Sequence, residues 1–528
     1  MTELTRRLLL AGSAAAPFAG WVRLADAATP KDTAVFAKQI DDIISLDPHE
    51  SYELSGGEIC TNVYDRLLRY EAEDHTKLVG GVAESWAVSP DGKTLTFKIR
   101  PNLKFHSGAP VTVEDVEFSL QRAVLIGKTP AFLFTQLGWS KANVKDLVKA
   151  SGGDTVTATI TADFAPSLVL NLMSSIVASI TEKKVAMAHD TNGDLGNGWL
   201  KSNSAASGAF RLVSWKANES VTLEANPGFR LGAPPLKRVV VRHVPEPASQ
   251  RLLLEKADAD FARDLTPDQI KPLSGNPDIK VESFKAANTF YCGLNLGYEP
   301  LANPKVRQAM KMLVDYDGMV KSFLAGRFFV QQSFLPIGFF GAIAYAPFKL
   351  DVEKAKKILA DGGIKTPFKI EFIVFNDQPF LSIAQSLQST FAQAGITLDI
   401  QPGVASDIYA RGRAGKFEMT LRYWIPDYFD AHSNASAFAI NKDNSANTVA
   451  KQAGWVIPEL TDETLAAVKE QDATKRAALY QDLQKKIQAS SPFVFMLQGN
   501  DQVVLSDKVK NYAQGLNADQ VYYDKVAK

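Results

Sequence analysis

The sequence predicts an α/β protein with a partly parallel sheet and more than one domain. Residues 368–375 (FKIEFIVF) form an apolar run typical of a strand, a helical segment ends at Gly395, and a second strand-like run, ITLDIQP, follows at once. Strands that alternate with helices in this way are typical of parallel sheets. The chain has 528 residues, 46% of them hydrophobic and 22% charged, which is enough material for two cores.

The first third of the chain predicts antiparallel strands and a helix. Apolar and polar residues alternate after the turn sequence Pro90-Asp91-Gly92, as they do in a hairpin with one wet face. Thr112 and Asp115 then have the spacing of a capping box, which predicts the start of a helix.

Later segments extend this pattern of strands and helices. We expect a strand over residues 154–162 and a helix near 165–180. The pattern changes near residue 288, where the strand-like run TFYCGLNLG is followed by Asn303-Pro304, an N-cap with proline at the first helical position. The apolar strand PFVFMLQ and the return to strand near residue 500 then close the chain.

Charge and cysteine content exclude several classes of function. Lysine plus arginine (58) equals aspartate plus glutamate (58), so no basic excess indicates a nucleic-acid partner. The two cysteines, Cys60 and Cys292, are not in a CxxC motif, which excludes a zinc or thiol-redox framework. Two isolated core thiols are the simpler interpretation, and whether they pair is left open.

No motif predicts an enzyme, a cofactor or a metal site. The chain lacks G-x-S-x-G, H-E-x-x-H, a P-loop and a G-x-G-x-x-G placed after a strand, and its six histidines are scattered. The stretch DTNGDLGNG (190–198) is similar to a calcium loop, but Lys201 occupies the twelfth position, where a bidentate glutamate is needed. A turn-rich linker is the expected structure there.

The N-terminus predicts an export signal over residues 1–27. Arg6 and Arg7 precede a short apolar run, and the sequence ADA at 25–27 is a small-x-small cleavage site. The order of these residues is similar to a twin-arginine signal, with an ordinary secretory signal as the alternative. No run of 18 apolar residues follows residue 30, so we expect a soluble protein outside the cytoplasm.

Residues 423–430, YWIPDYFD, combine four aromatic rings with two carboxylates. Removing an ionised carboxylate from water without a partner costs several kcal/mol. We therefore expect a cation, or a set of hydrogen-bond donors, to meet Asp427 or Asp430. The sequence leaves open whether that partner belongs to the chain or to a ligand.

The stretch GGVAESWAVSPDGKTLTFKIRPNLKFHSGAPVTVEDVEFSLQR (80–122) resembles the signature of the family-5 extracellular solute-binding proteins, the binding components of bacterial ABC importers. Four other segments resemble the family in the same order: SLDPHESY (45–52), SGAFRLVSW (207–215), NPKVRQAMKMLVDYDGMV (303–320) and DVEKAKKILADGG. The resemblance implies a two-lobe periplasmic-binding-protein-like fold (type II, large cluster C form) with mixed sheets and a ligand cleft between the lobes.

The resemblance also implies a domain organisation and a function. Lobe I is expected over residues 28–288 plus 501–528, with an extra subdomain at about 67–200, and lobe II over 289–500. The implied function is the capture of di- or oligopeptides in the periplasm by clamshell closure. The implied partner is a membrane permease, and the protein is expected to be a monomer.

The resemblance bears on five of the six candidate site residues, and the sixth, Arg422, matches no family motif. In peptide-binding relatives, an aspartate three residues after a tryptophan, followed by an aromatic residue, anchors the α-ammonium group of the peptide. Trp424, Asp427 and Tyr428 match this pattern, which makes Asp427 the expected anchor and Trp424 a wall of the pocket. Tyr52 and Leu54 are expected to lend backbone hydrogen bonds to an extended peptide. Arg422 is a candidate for a ligand carboxylate.

The sequence is also consistent with other roles for these residues and with other ligands. Asp427 would lose the anchoring role if Arg422 neutralised it within the protein, and packing in a loop would equally explain Tyr52 and Leu54. The same carrier could instead bind a nickel chelate, haem, an opine or an oligosaccharide. A secreted protein-interaction module is a further alternative. An acid among rings favours an amine-bearing ligand over a sugar, because sugar sites favour neutral hydrogen-bonding groups.

Overall fold

The structure is a computed structural model that describes residues 29–71, 74, 77–445, 447–517 and 520–528. The predicted export signal at 1–27 lies outside these residues. Within the described part of the chain, no helix has both the length and the apolar character needed to span a bilayer.

The strands fall into one large sheet and three small ones. Their bounds are β1 Thr33–Lys38, β2 Leu68–Tyr70, β3 Leu78–Gly80, β4 Ala83–Val88, β5 Thr94–Ile99, β6 Val148–Ala150, β7 Thr155–Thr159, β8 Phe210–Lys216, β9 Ser220–Ala225, β10 Arg238–His243, β11 Phe261–Ala262, β12 Ile279–Leu294, β13 Phe328–Val330, β14 Phe368–Phe375, β15 Ile396–Gly403, β16 Met419–Trp424, β17 Phe493–Ser506, β18 Ala513–Gln514 and β19 Val521–Tyr522.

The helices lie between these strands. Their bounds are α1 Leu54–Val63, α2 Val113–Ile126, α3 Phe132–Thr135, α4 Val144–Leu147, α5 Pro166–Leu172, α6 Lys183–Ala188, α7 Asn197–Leu200, α8 Pro247–Glu255, α9 Pro267–Ile270, α10 Pro304–Met312, α11 Tyr316–Lys321, α12 Val352–Asp361, α13 Phe380–Ala392, α14 Ala405–Arg413, α15 Ala431–Ala439, α16 Val449–Gln452, α17 Pro458–Lys469 and α18 Ala473–Ser490.

The large sheet has the order β15-β14-β16-β12-β17-β11-β1-β10-β9-β8, with β13 also paired to β17. It is mixed, as predicted. Strand β1 runs parallel to β10 and β11, and β14 runs parallel to β15 and β16. The central strands β12 and β17 are antiparallel to each other and join these two parallel groups.

Strands β12 and β17 pass through the positions where the sequence predicts the lobes to divide. β12 runs from Ile279 to Leu294 and pairs with β16 of one group, while β17 runs from Phe493 to Ser506 and pairs with β11 of the other. The pairing of β12 with β17 shifts register between Lys285 and Thr289. The regular ladder is therefore interrupted close to the predicted boundary at 288.

Several local predictions are confirmed. Strands β4 and β5 form the predicted hairpin, and the hydroxyl of Thr112 caps α2 while the Asp115 carboxylate accepts a hydrogen bond from the backbone N–H of Thr112. The side chain of Asn303 accepts from the N–H of Lys305 at the start of α10. These elements form where local hydrogen bonds satisfy helix ends or turns.

The predicted helix near 165–180 is shorter than expected. Helix α5 ends at Leu172, and a single 3-10 turn follows at Ile176–Ala178. The hydroxyls of Ser174 and Ser175 donate to the carbonyls of Asn171 and Leu172. Serine side chains that bond nearby backbone groups offer the chain an alternative to helix continuation.

The buried apolar residues form four large clusters. One combines residues of 34–64, 206–261 and 503–526, a second those of 290–421 and 494–497, and a third those of 287 and 291 together with 334–339 and 431–495. The fourth lies within 67–180 but includes Tyr428 and Val468. The predicted subdomain therefore shares its core with two residues of the predicted second lobe.

The two cysteines are separate and buried, so Cys60 and Cys292 are isolated core thiols. Burial raises the pKa of both thiols, to about 12 for Cys60. Thiols of this kind pack as small apolar groups and are inert.

Candidate ligand cavity

A cavity of about 440 Å³ lies beyond the carboxyl end of β16. Ile425, Pro426 and Asp427, which follow this strand, form one wall of the cavity. Ligands of open α/β sheets bind beyond the carboxyl ends of parallel strands. The cavity is therefore at a position where this fold places ligands.

The cavity walls come from both parts of the chain and are mostly apolar. The lining residues are Ser51, Tyr52, Glu53, Leu54, Gly57, Pro130, Leu133, Ser175, Ile176, Val177, Tyr409, Tyr423, Ile425, Pro426, Asp427 and Asn517. Residues before 180 and residues after 408 thus face each other across one space. An apolar cavity with few polar groups is the usual form of a small-molecule site.

Asp427 is half-buried on this wall and has a hydroxyl rather than a cation as its partner. The hydroxyl of Tyr52 donates to Asp427 Oδ1 at 2.5 Å, and the backbone N–H of Asp427 donates to the hydroxyl of Ser433 at 2.8 Å. Among the described residues, no lysine, arginine or histidine forms an ion pair with this carboxylate. Arg422 therefore does not neutralise Asp427, and this alternative from the sequence is not observed.

Burial raises the pKa of Asp427, and the hydrogen bond from Tyr52 only partly opposes this effect. The pKa of the Tyr52 hydroxyl is raised as well, by burial and by the neighbouring carboxylate. Both shifts indicate a negative charge that is poorly solvated and lacks a positive partner. A cationic ligand group would stabilise this charge.

Asp430, three residues later, is fully buried but satisfied within the protein. Its carboxylate accepts from Arg476 at 2.6 and 2.9 Å, from Asn171 Nδ2 at 3.2 Å, and from the backbone N–H of His432 at the start of α15. Asp430 is the N-cap residue of α15. Asp430 thereby fixes the loop that carries Asp427.

The structure brings three of the six predicted site residues together and leaves three away from the cavity. Tyr52, Leu54 and Asp427 line it. Arg422 and Trp424 do not, because successive residues of a strand face opposite sides and it is Tyr423 and Ile425 that face the cavity.

The other three predicted residues have partners within the protein. Trp424 packs against Phe438 with ring centroids 5.8 Å apart. Arg422 donates to the side chain of Gln452 at 2.9 Å and lies over aromatic rings. Tyr428 is buried in the core of the 67–180 region. Their roles in binding remain predictions from the family resemblance.

Sequence reasoning missed Tyr409 and Tyr423, two phenols on the cavity wall. Burial raises the pKa of Tyr409, with a further contribution from Tyr423. The alternation in MTLRYW contained the signal for Tyr423, since residues 423 and 425 share a face of the strand. Tyr409 lies on α14 and carried no comparable pattern.

The described residues contain no group of three histidine, cysteine, aspartate or glutamate side chains arranged to hold a metal ion. In the calcium-like stretch at 190–198, the carboxylate of Asp194 accepts from the backbone N–H groups of Thr191, Gly196 and Gly198. This carboxylate closes a turn, which agrees with the linker interpretation.

Residues 77–446 match the sequence profile of the family described as "Bacterial extracellular solute-binding proteins, family 5 Middle". The chain belongs to this family. A curated relative, the probable D,D-dipeptide-binding periplasmic protein DdpA of Escherichia coli (strain K12), is 30% identical over 506 residues, which cover 94% of this chain and 95% of the relative.

Solved structures show the same fold. The periplasmic binding protein DppA of Helicobacter pylori, in complex with the peptide STSA, has a TM-score of 0.76 at 23% identity and covers 94% of this chain and 98% of its own. NikZ of Campylobacter jejuni, in complex with Ni(L-His), has a TM-score of 0.76 at 21% identity and covers 95% and 100%. This family-5 chain thus has a type II periplasmic-binding-protein fold.

Proposed function

We propose that this family-5 protein captures peptides for a bacterial ABC importer and that Asp427 anchors the α-ammonium group of the peptide. The observation that carries the proposal is the half-buried carboxylate on an apolar cavity wall, with a hydroxyl but no cation as its partner in the described chain. An ammonium group supplies the missing charge.

The geometry suits an amine. The Tyr52 hydroxyl occupies one lone pair of Asp427 Oδ1, which leaves the other oxygen and the remaining lone pairs for donors from a ligand. Hydrogen bonds between ionised partners are about twice as strong as neutral ones, and apolar walls reduce their screening by water.

The names of similar proteins support peptides as the ligand class. The Escherichia coli relative is named as D,D-dipeptide-binding, and the Helicobacter pylori structure contains a peptide. The Campylobacter jejuni protein with Ni(L-His) has the same fold, so the fold alone does not select the ligand. The half-buried Asp427, which has no cation as a partner among the described residues, is the feature that favours a ligand with an amine.

We propose that two lobes close around the ligand, with lobe I at 28–288 plus 501–528 and lobe II at 289–500. The register shift between Lys285 and Thr289 supports a hinge near this boundary. Hinge closure is the behaviour known for periplasmic binding proteins. The predicted export signal and the periplasmic relative support a periplasmic location, where a membrane permease would receive the ligand.

The anchor can be tested with Asp427→Ala. We expect this variant to bind alanine peptides more weakly than the wild type by more than about 2 kcal/mol, because truncating one partner of a buried charge pair leaves the other unpaired. Isothermal titration calorimetry measures the difference. Asp443→Ala, at an exposed carboxylate outside the cavity, is the matched control and should leave affinity unchanged. Equal affinities of wild type and Asp427→Ala would remove the assignment.

A further inference from the structure

The hydroxyl of Tyr52 and the carboxylate of Asp427 come from opposite walls of the ligand cavity. Tyr52 lies two residues before α1, in the first part of the chain, whereas Asp427 follows β16. The two residues are 375 positions apart, and Tyr52 Oη donates to Asp427 Oδ1 at 2.5 Å. This hydrogen bond therefore joins the two walls at the carboxylate that we propose as the anchor.

Both partners of this hydrogen bond are fixed by other contacts. The ring of Tyr52 lies edge-to-face against Phe132, with centroids 6.0 Å apart, and its backbone N–H donates to Glu53 Oε2 at 3.3 Å. The backbone N–H of Asp427 donates to the hydroxyl of Ser433 at 2.8 Å. The hydroxyl and the carboxylate are thus placed before a ligand arrives, which lowers the cost of ordering them on binding.

The surroundings of Asp427 make this hydroxyl its main source of stabilisation within the chain. The other titratable side chains around the carboxylate are all acids or phenols: Glu53, Tyr409 and Tyr423 on the cavity walls and the adjacent Tyr428. The cation bound in the same loop, Arg476, pairs with Asp430. Among the described residues, Tyr52 is the one side chain that donates a hydrogen bond to the Asp427 carboxylate.

We propose that Tyr52 is a positioning residue for the amine anchor, and that its hydroxyl holds Asp427 as an oriented carboxylate anion with Oδ2 free for the ammonium group of the ligand. This inference rests on the proposed function and deepens it. It gives the phenol hydroxyl a role of its own, separate from the backbone hydrogen bonds that the family resemblance implies for Tyr52.

The hydroxyl acts in two ways. A hydrogen bond to Oδ1 restricts rotation of the carboxylate, so Oδ2 keeps one direction. The same bond favours the ionised form, since burial raises the pKa of Asp427 and the hydrogen bond from Tyr52 lowers it. A protonated, neutral carboxyl group would lose the charge-assisted hydrogen bond to an ammonium group. Without the hydroxyl, the charge on Asp427 should therefore be lost at a higher pH.

This dependence on pH separates the proposed role from simple packing. Phenylalanine at position 52 would keep the ring and its contact with Phe132, but it would donate no hydrogen bond to Asp427. If the ring only fills space, any loss of affinity in Tyr52→Phe is the same at every pH. If the hydroxyl holds the anion, the loss grows as the pH falls.

The test is to titrate tri-alanine into wild type and Tyr52→Phe by isothermal titration calorimetry, between about pH 4.5 and about pH 7, where the peptide amine stays charged. We expect the ratio of wild-type to variant affinity to rise by at least about threefold from the upper to the lower pH. Titration of the peptide itself cancels in this ratio. Circular dichroism at each pH checks that both proteins are folded.

Three further variants locate the effect. Tyr409→Phe is the matched control: it removes a phenol hydroxyl that interacts with Tyr423 rather than with Asp427, and its affinity ratio to wild type should not vary with pH. In a Glu53→Gln background, Tyr52→Phe should keep its pH-dependent loss, which excludes titration of Glu53 as the cause. In an Asp427→Asn background, Tyr52→Phe should have a pH-independent effect, because residue 427 no longer titrates.

The outcomes separate this inference from the proposed function. If Tyr52→Phe binds tri-alanine as wild type does, or more weakly by the same factor at every pH, the positioning role is wrong and the proposed function survives. A pH-dependent loss that persists in the Asp427→Asn background would also overturn the role, since Tyr52 would then act through another group. If the wild type binds no peptide, or binds it no better than Asp427→Ala does, the proposed function fails and this inference fails with it.

Discussion

Asp427 and Asp430 lie in one loop, three residues apart, and have opposite environments. Asp430 is buried against Arg476 and caps a helix, while Asp427 is half-buried beside a phenol and has no cation among the described residues. A carboxylate desolvated without a positive partner reduces the stability of the empty protein. This difference is the reason why we propose a binding role for Asp427 and not for Asp430.

Lys311 is a second charged group that the fold leaves poorly compensated. It is buried on α10, its Nζ donates to the carbonyl of Gln488 at 2.5 Å, and burial together with Arg307 lowers its pKa to about 7. An unfolded chain would titrate near 10.5. Between these values the unfolded state binds more protons, so stability rises with pH from about 7 to 10.5.

Replacing Lys311 with methionine should stabilise the protein most at neutral pH. We expect Lys311→Met to raise the free energy of unfolding by about 1–3 kcal/mol at about pH 7, because an apolar chain of similar length removes the cost of burying a charge. The gain should shrink at about pH 9.5, where the wild-type lysine is neutral in the folded state and closer to neutral in the unfolded state. Urea denaturation at both pH values measures the gain. Lys305→Met, exposed on the same helix, is the control, and a gain that is equal at both pH values would contradict the assignment.

At the scale of elements, local patterns predicted some structures and missed others. The starts of α2 at Thr112 and of α10 at Asn303-Pro304 could be predicted, because a few adjacent residues determine where a helix begins. The end of α5 could not be predicted, because serine hydroxyls that form hydrogen bonds to the backbone compete with continuation of the helix. The full length of β12 and β17 was also missed, since it depends on pairing between residues about 200 positions apart.

The same limit applies to the cavity. The family resemblance identified Asp427 by its distance from Trp424 along the chain, but a strand alternates its faces, and this places Trp424 on the opposite side from Tyr423.

Helix α15 depends on the ion pair between Asp430 and Arg476. Arg476→Met should lower the free energy of unfolding by about 3 kcal/mol, because it leaves a buried carboxylate without its cation. In an Asp430→Asn background the same change should cost markedly less, since asparagine still caps the helix but carries no charge. Chemical denaturation of the four proteins in this double-mutant cycle measures the coupling. Arg413→Met, at an exposed site, should be neutral, and a cost independent of residue 430 would refute the pairing argument.

At the scale of the whole molecule, the predicted lobes are joined by more than the two long strands. Asn171 donates to Asp430 at 3.2 Å, the backbone N–H of Ala165 donates to the carbonyl of Val468 at 2.8 Å, and Tyr70 packs edge-to-face on Phe429. These contacts link the predicted subdomain to the predicted second lobe. They involve none of the residues that line the ligand cavity.

Contacts of this kind should stabilise the closed form of a hinged protein without touching the ligand. Asn171→Ala removes the cross-lobe hydrogen bond to Asp430 and the hydrogen bond from the Tyr70 hydroxyl to Asn171 Oδ1, while leaving the Asp430–Arg476 pair in place. If binding requires closure, a smaller closed population lowers the apparent affinity in proportion. We expect alanine peptides to bind Asn171→Ala about 3- to 10-fold more weakly, mainly through faster dissociation.

Stopped-flow fluorescence gives the dissociation rate, and small-angle X-ray scattering gives the radius of gyration with and without peptide. The peptide should reduce the radius of gyration of both proteins, and Asn171→Ala should need a higher peptide concentration to reach the same value. Thr135→Ala, an exposed site in the same region, is the control. An Asn171→Ala protein with wild-type affinity and wild-type scattering would show that this hydrogen bond does not contribute to closure.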